Sequence, residues 1–264
     1  MSDLLQVKNL SVSFGGVRAV RDVSFDVARG EVFTLIGPNG AGKTTLFNLI
    51  SRIYDPTGGD VVFEGRSISR IPPHRVAALG IARTFQNIEL FENASVLQNL
   101  LIGHHVHRGS GLLSNLFFTP RARQAELAAR RDVEDVIDLL DLHHYRDARV
   151  DALPFGVRKC VELGRALCMK PKLILLDEPS SGLNVEETDD ISWWIEDIKD
   201  ELGITVLMVE HDMRLVSRVS DRVLALNHGE ILAIGTPQEV QRHPGVIEAY
   251  LGGAGGFAPR RRRA

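Results

Sequence analysis

The sequence predicts an α/β fold, and three observations predict it. Short apolar runs, Val32–Ile36, Leu173–Leu176 and Thr205–Val209, alternate with longer stretches of helical period, the rhythm of a parallel sheet with helical connections. The first run leads straight into Gly37-Pro38-Asn39-Gly40-Ala41-Gly42-Lys43-Thr44-Thr45, whose end opens the helical stretch Thr44–Ile50. That nonapeptide fits the phosphate-binding pattern Gly-x-x-x-x-Gly-Lys-[Ser/Thr] at every fixed position, in the strand–loop–helix setting the pattern requires. The chain has 264 residues, room for one large α/β domain or two small ones.

Bulk composition narrows the classes. Hydrophobic residues make up 44% and charged residues 25%, ordinary values for a globular protein. A net charge of −3 implies no global attraction to nucleic acid or membrane. The two cysteines, Cys160 and Cys168, lie eight apart on an expected helix and read as core residues of a chain in a reducing compartment. Met1–Gln6 has neither a basic start nor an apolar core, so no signal peptide is expected. No apolar stretch approaches the roughly 20 residues of a membrane span. Work at a membrane would therefore need spans from another chain.

In chain order, Leu5–Phe14 and Val23–Val27 alternate apolar and polar residues, as half-buried strands do. Ala28-Arg29-Gly30 is the turn before the phosphate-loop strand, and Asp60–Gly65 reads as a short strand and turn. Together they predict a small N-terminal antiparallel sheet. Pro72-Pro73 opens a short helix, His74–Leu79, and residues 81–84 form a core strand ending at Gln86. The middle of the chain changes character. His107–Leu112 is a loop, and Leu113–Phe118 is an apolar stretch read as packing on its own subdomain, with a partner surface as the alternative. Thr119-Pro120 supplies a cap and an N1 proline for a charged helix reaching Leu140, with Leu127, Val133, Val136, Ile137 and Leu140 on its apolar face. A helix-rich insert thus runs from about residue 88 to 165. Beyond residue 170 the α/β rhythm returns. Leu173–Asp177 is a buried strand. Val185–Leu202 is a helix burying Ile191, Trp194, Ile195, Ile198 and Leu202. Asp221–Leu226 and Ile231–Ile234 close the fold around Asn227-His228-Gly229. Residues 253–264, glycine-rich and ending in Arg260–Arg263, read as a disordered, solvated tail, with acidic lipid or RNA as the alternative contact.

The chemistry follows from five places. Glycines in the loop let backbone N–H groups wrap phosphate, and the helix N-terminus adds partial positive charge. Lys43 reaches the β- and γ-phosphates, and the Thr44 hydroxyl holds Mg2+. Asp177 ends an apolar strand and suits the outer shell of Mg2+. Glu178, the next residue, could orient and deprotonate an attacking water; a strand followed by a merely acidic turn is the bland alternative. His211 lies just past a strand, where ligands of parallel sheets bind, and could hydrogen-bond the γ-phosphate. Gln86, at another strand end, could bind Mg2+ or the water and link the core to the helical insert.

These residues, with Leu153-Pro154-Phe155-Gly156-Val157 and Ser181-Gly182-Leu183-Asn184, stand in an order that resembles an ABC transporter nucleotide-binding subunit across about residues 4–252. The closer resemblance is to the ATP-binding subunits of branched-chain amino acid transporters, the LivG type. It is carried by Arg83–Phe91, by the long insert after Gly103, and by Gly235–Val240 with Val246–Gly252. The resemblance implies a P-loop NTPase (RecA-like) core with an N-terminal antiparallel β subdomain, an inserted helical subdomain and a family-type C-terminal segment at about 230–252. It implies ATP and Mg2+ as cofactors, with Phe14 stacking on adenine and Val20 packing against the same base. It also implies a head-to-tail pair with a second ABC ATPase subunit, each ATP lying between one subunit's phosphate loop and the other's signature segment, Leu153–Val157, with Ser181–Asn184 as the D-loop. Two membrane permease subunits and an extracytoplasmic solute-binding protein complete the expected assembly, at the cytoplasmic face of the inner membrane and without nucleic acid. The signature departs from the general Leu-Ser-Gly-Gly-Gln. Pro154 lacks the hydroxyl that would meet the γ-phosphate, and Val157 removes a polar contact, so weaker hydrolysis is expected at the site this segment completes. Two rival readings remain: an exporter or lipid-transport motor of the same fold, and a soluble ABC-type ATPase acting on nucleic acid or ribosomes, which would usually carry two such domains, a coiled coil or a zinc insertion.

Overall fold

The computed structural model describes residues 3–84, 88–104 and 120–252. In chain order the elements are β1 (Asp3–Phe14), β2 (Val17–Ala28), β3 (Val32–Ile36), α1 (Lys43–Ile50), β4 (Gly58–Phe63), β5 (Arg66–Ser67), α2 (Pro73–Val76), β6 (Ile81–Arg83) and α3 (Val96–His104). There follow α4 (Pro120–Leu139), α5 (Phe155–Leu167), β7 (Leu173–Asp177), α6 (Val185–Asp200), β8 (Thr205–Val209), α7 (Met213–Val219), β9 (Arg222–Asn227), β10 (Glu230–Gly235), α8 (Pro237–Gln241) and α9 (Pro244–Gly252). The chain divides into two compact units, residues 1–69 with 209–264, and residues 70–208.

In the first unit, β1 and β2 pair antiparallel, with Phe14 opposite Val17 across Gly15-Gly16. Both glycines have positive φ (52° and 87°), the geometry of a tight two-residue hairpin that follows strand twist. Strand order is β2-β1-β4-β5. Leu5, Val7, Leu10 and Val12 are buried, and the alternation slips by a residue at a bulge between Val7 and Leu10. There Asn9 takes φ 48° and donates its backbone N–H to Ser24 Oγ at 2.8 Å. β2 begins at Val17, six residues before the alternation signalled it, because its N-terminal half is mostly exposed, without a regular alternation, and gains its order by pairing with β1. β3 is buried at every position and pairs parallel with β9, which turns into β10 through His228 and Gly229, both at positive φ. Ile36, Val216, Val223, Ala225, Val240 and Val246 form one apolar cluster, which holds α7, α8 and α9 on these strands. Each valine or isoleucine among them contributes roughly 1.5–3 kcal/mol through burial. α8 starts at a capping box: Thr236 accepts from the Glu239 N–H and Glu239 accepts from the Thr236 N–H, with Pro237 at N1.

In the second unit the strand order is β8-β7-β6, with β6 and β7 parallel. All five residues of β7 are buried, which is why that run reads as uninterrupted apolar sequence. α3, α4 and α5 meet at Gly164, where an added Cβ would lie 2.9 Å from Leu100 Cδ2 and 3.1 Å from Leu140 Cδ1. Gly103 lets α3 approach α5 even more closely, a Cβ there falling 2.2 Å from the Arg165 carbonyl oxygen. Val133, Ile137 and Leu140 are buried as expected, but Leu127 is 49% exposed and Ala129 takes the inward place. At about 100° per residue, position 129 lies in line with 133, whereas 127 is turned well over 90° away. Leu202 is likewise exposed rather than part of the helix face: α6 ends at Asp200, and Gly203 turns the chain with φ 64°. Cys160 and Cys168 are buried in this unit, and desolvation pushes both thiols up to about 12, as core cysteines require. The expected cap at Thr119, the stretch Leu113–Phe118 and the tail 253–264 lie outside the described residues.

Candidate functional site

The expected site residues divide between the units. Phe14, Val20, the loop Gly37–Thr45 and His211 belong to the first; Leu153–Val157, Asp177, Glu178 and Ser181–Asn184 belong to the second. Gln86 lies outside the described residues.

The phosphate loop is shaped by its glycines. Gly37 and Gly42 have φ 149° and 105°, and a Cβ would lie 2.2 Å from the Leu226 carbonyl oxygen at the first and 2.6 Å from that of Ala19 at the second. Only glycine fits both the conformation and the space. The loop is tied from outside: the Gly229 N–H donates to the Ala41 carbonyl at 2.8 Å, and the Arg21 N–H to that of Gly229 at 2.8 Å. Within it, Lys43 Nζ donates to the carbonyls of Gly37 (2.6 Å) and Pro38 (3.2 Å), which holds the ammonium over the loop. α1 begins at Gly42 with no side-chain cap and no acidic residue in its first turn, so its terminal N–H groups and dipole face an anion without competition. Thr44 is exposed at this end.

Phe14 is 46% exposed and meets Tyr54 edge to face at 5.1 Å, an arrangement that leaves one ring face open for stacking. Val20 does not fit its expected role. It is fully buried, because the pairing slips between Val20 and Val23, where Asp22 takes φ 51°, and this turns Val20 to the same side as Val23, Phe25 and Val27. The exposed aliphatic beside Phe14 is Val17, opposite it in the hairpin. The Gly15-Gly16 turn was the signal that could have found it.

His211 follows β8 with its side chain 58% exposed. Its neighbour Glu210 is fully buried, and Glu210 Oε2 accepts the backbone N–H of His211 (2.6 Å) and of Asp212 (3.0 Å). The Glu210 N–H in turn donates to the Leu35 carbonyl at 3.2 Å. Glu210 thus braces the turn that presents His211, a role sequence reading missed. A second missed residue is Tyr250 in α9, whose hydroxyl accepts the Gly37 N–H at 2.8 Å. Burial raises the pKa of this phenol, against the opposing effect of that bond, and keeps it protonated.

In the second unit, Asp177 is buried at the end of β7 and its Oδ2 accepts from Arg83 Nη2 at 2.9 Å. Thr84 lies beside them, its backbone N–H donating to the Leu175 carbonyl. Arg83 was not singled out from sequence; its place on the neighbouring strand is what brings it to Asp177. Glu178 has φ 51°, a left-handed conformation rare for a residue with a Cβ. The signature segment forms the start of α5, with Pro154 as N-cap, no side-chain cap bond and no acidic residue in the first turn. Leu153 and Gly156 are buried, Val157 is half-buried and Phe155 is exposed. A Cβ on Gly156 would lie 2.4 Å from Glu187 Oε1. Glu187 shares a capping box with Asn184, so Asn184 serves as the helix cap of α6. Phe155 also reaches Gly182, where a Cβ would lie 2.9 Å from its Cε1. The signature turn and Ser181–Asn184 therefore pack as one block.

Comparison with known proteins agrees with this geometry. Residues 20–181 match the family described as ABC transporter, and residues 230–255 match the family described as branched-chain amino acid ATP-binding cassette transporter. The high-affinity branched-chain amino acid transport ATP-binding protein BraF of Pseudomonas aeruginosa is 39% identical over 251 residues, covering 95% of this chain and 98% of BraF. The lipopolysaccharide export system ATP-binding protein LptB of Acidithiobacillus ferridurans is 36% identical over 252 residues, covering 96% and 98%. The crystal structure of a nucleotide-free ATP-binding cassette from an ABC transporter superposes with a TM-score of 0.82 at 33% identity, covering 94% of this chain and 99% of that one.

Proposed function

The chain belongs to the ABC transporter family, and from that premise we propose that it is the ATP-hydrolysing motor subunit of an importer for branched-chain amino acids. The phosphate loop supports this most directly. Its glycines leave backbone where no side chain fits, and the helix N-terminus behind it has no acidic residue in its first turn, as a polyphosphate needs.

Each residue then has a task. Phe14 offers a ring face to adenine. Loop N–H groups and the Lys43 ammonium take the phosphate charge, Lys43 exchanging its contacts with the Gly37 and Pro38 carbonyls for phosphate oxygens. Thr44 and Asp177 would hold Mg2+, and their oxygen donors, a hydroxyl and a carboxylate, are of the kind a hard cation takes. When bound, Mg2+ neutralises charge on the β- and γ-phosphate oxygens. Glu178 accepts the proton of the attacking water, and His211, steadied by Glu210, hydrogen-bonds the γ-phosphate. Gln86 carries the closure signal toward the membrane partners. The N-terminus of α5 donates to the γ-phosphate of ATP held by a second ABC ATPase subunit, through backbone N–H groups in place of the missing serine hydroxyl.

The import reading draws support from the C-terminal match at residues 230–255, and it places the chain at the cytoplasmic face of a membrane with two permease subunits and a solute-binding protein. Among the described residues no helix is long and apolar enough to cross a membrane, in keeping with spans on other chains. A lipid-export motor is the second reading, favoured by the similarity to LptB. Two measurements test the proposal. Permeases and solute-binding protein that co-purify with the chain should give vesicles whose ATPase activity rises with leucine, isoleucine or valine; stimulation by lipopolysaccharide instead would make it an export motor. In the same vesicles Glu178→Gln should bind ATP yet hydrolyse it about 10²–10⁴-fold more slowly, the usual weight of general-base catalysis. Normal turnover would remove Glu178 from that role.

A further inference from the structure

Glu178 does not hold its left-handed backbone unaided. Its carbonyl accepts two donors, the Ser181 N–H at 3.1 Å and Lys159 Nζ at 3.1 Å. The same ammonium donates to the next carbonyl, that of Pro179, also at 3.1 Å. An L-residue at φ 51° is disfavoured by its own Cβ, and such conformations persist where the surroundings over-determine them. Here one charged group grips two successive carbonyls, and charge-assisted bonds are the stronger kind.

Lys159 is carried by α5, one turn beyond Phe155, and its Nζ lies 5.7 Å from the centre of that ring. Phe155 in turn packs on Gly182. A small, mostly apolar cavity beside these groups is lined by Leu163, Leu176, Ile191 and Ile195 together with Lys159 and Asp177. The signature turn, Lys159 and the peptide of Glu178 form a continuous mechanical path inside the second unit.

We propose that Lys159 is a positioning residue for Glu178: from the signature helix it holds the Glu178 peptide in its left-handed form and so sets the direction in which the carboxylate leaves β7. This rests on the general-base reading of Glu178 given above and adds a consequence to it. A shift of the first turn of α5, caused by nucleotide engaging the signature segment, reaches the catalytic carboxylate of the same chain through Lys159. Occupancy of the partner subunit's nucleotide site, which this chain's signature segment completes, thereby tunes hydrolysis in this chain's own site.

The test uses the assembled transporter. Lys159→Met keeps the side chain's length and apolar stem and removes its donors. It should lower kcat about 10- to 100-fold, the scale of an ångström-sized misplacement, while KM for ATP stays within about twofold. In a Glu178→Gln background the same substitution should change residual turnover less than about twofold, because the group it positions is already gone. Lys159→Arg, which can still reach two carbonyls, should recover most of the loss. Parent-like kcat in Lys159→Met, an equal fold-loss in both backgrounds, or a KM rising in step with the fall in kcat would overturn the proposal. Thermal unfolding is followed in parallel; if Lys159→Met does not assemble, Lys159→Gln is read by the same criteria. The two failures separate cleanly: a fully active Glu178→Gln sinks the general-base reading, whereas an inactive Glu178→Gln beside a fully active Lys159→Met sinks only this inference.

Discussion

The phosphate loop and the signature turn do similar work by different construction. Both present a helix N-terminus, α1 at Gly42 and α5 at Pro154, with no side-chain cap and no acidic residue in the first turn. The loop is made of backbone: Gly37 and Gly42, at positive φ, lie against the carbonyls of Leu226 and Ala19, so replacing either glycine would break it. The signature turn is held through side chains: Glu187 from α6 over Gly156, and its own Phe155 ring against Gly182. Its letters can drift, to Pro154 and Val157 here, while the helix start survives. A motif built from backbone geometry is rigid in sequence; one that needs only a supported helix end is tolerant.

That contrast can be broken at several points. The largest expected effect is on stability, in the unit that relies on side chains. Arg83→Met leaves the buried Asp177 carboxylate without its ion-pair partner, and breaking a buried pair from one side costs roughly 3–5 kcal/mol. Chemical denaturation should show that loss, and adding Asp177→Asn should restore most of it. Loss of less than about 1 kcal/mol in the single variant would mean the pair carries little.

The signature is next. Val157→Gln restores a polar group beside the helix start, and one gained hydrogen bond of about 1 kcal/mol corresponds to roughly a fivefold rise in ATPase turnover of the assembled transporter. Unchanged turnover would show that the backbone donors alone suffice there. The smallest effect is expected at the backbone-built loop. Tyr250→Phe removes the acceptor of the Gly37 N–H and keeps the ring, and about 1 kcal/mol should appear as a few-fold weaker ATP affinity in equilibrium titration. A larger change would mean that α9 supports the loop more than the glycine contacts do.

Much of the fold was legible because its signals are local. Buried strands such as β3 and β7 show as unbroken apolar runs, and the loop shows as glycines at fixed spacing. Leu127 misled because it is apolar but the helical period turns it away from the buried face, and Leu202 because the helix ends before it. Val20 misled because the bulges in β1 and the pairing of β2, rather than composition, set which side of the hairpin faces in.

By itself the sequence determined the chemical kind of the protein: a glycine-bound phosphate loop, two carboxylates at a strand end, a histidine past another strand, and the order in which they come. Those features depend on residue type and on neighbours a few positions away. Tertiary structure alone decided what holds the catalytic groups in place. Arg83 meets Asp177 across 94 residues, Tyr250 meets Gly37 across 213, and Lys159 meets Glu178 across 19. None of these pairings has a spacing rule, because each forms only when strands and helices distant in the chain pack together and bury a polar group that must then find a partner.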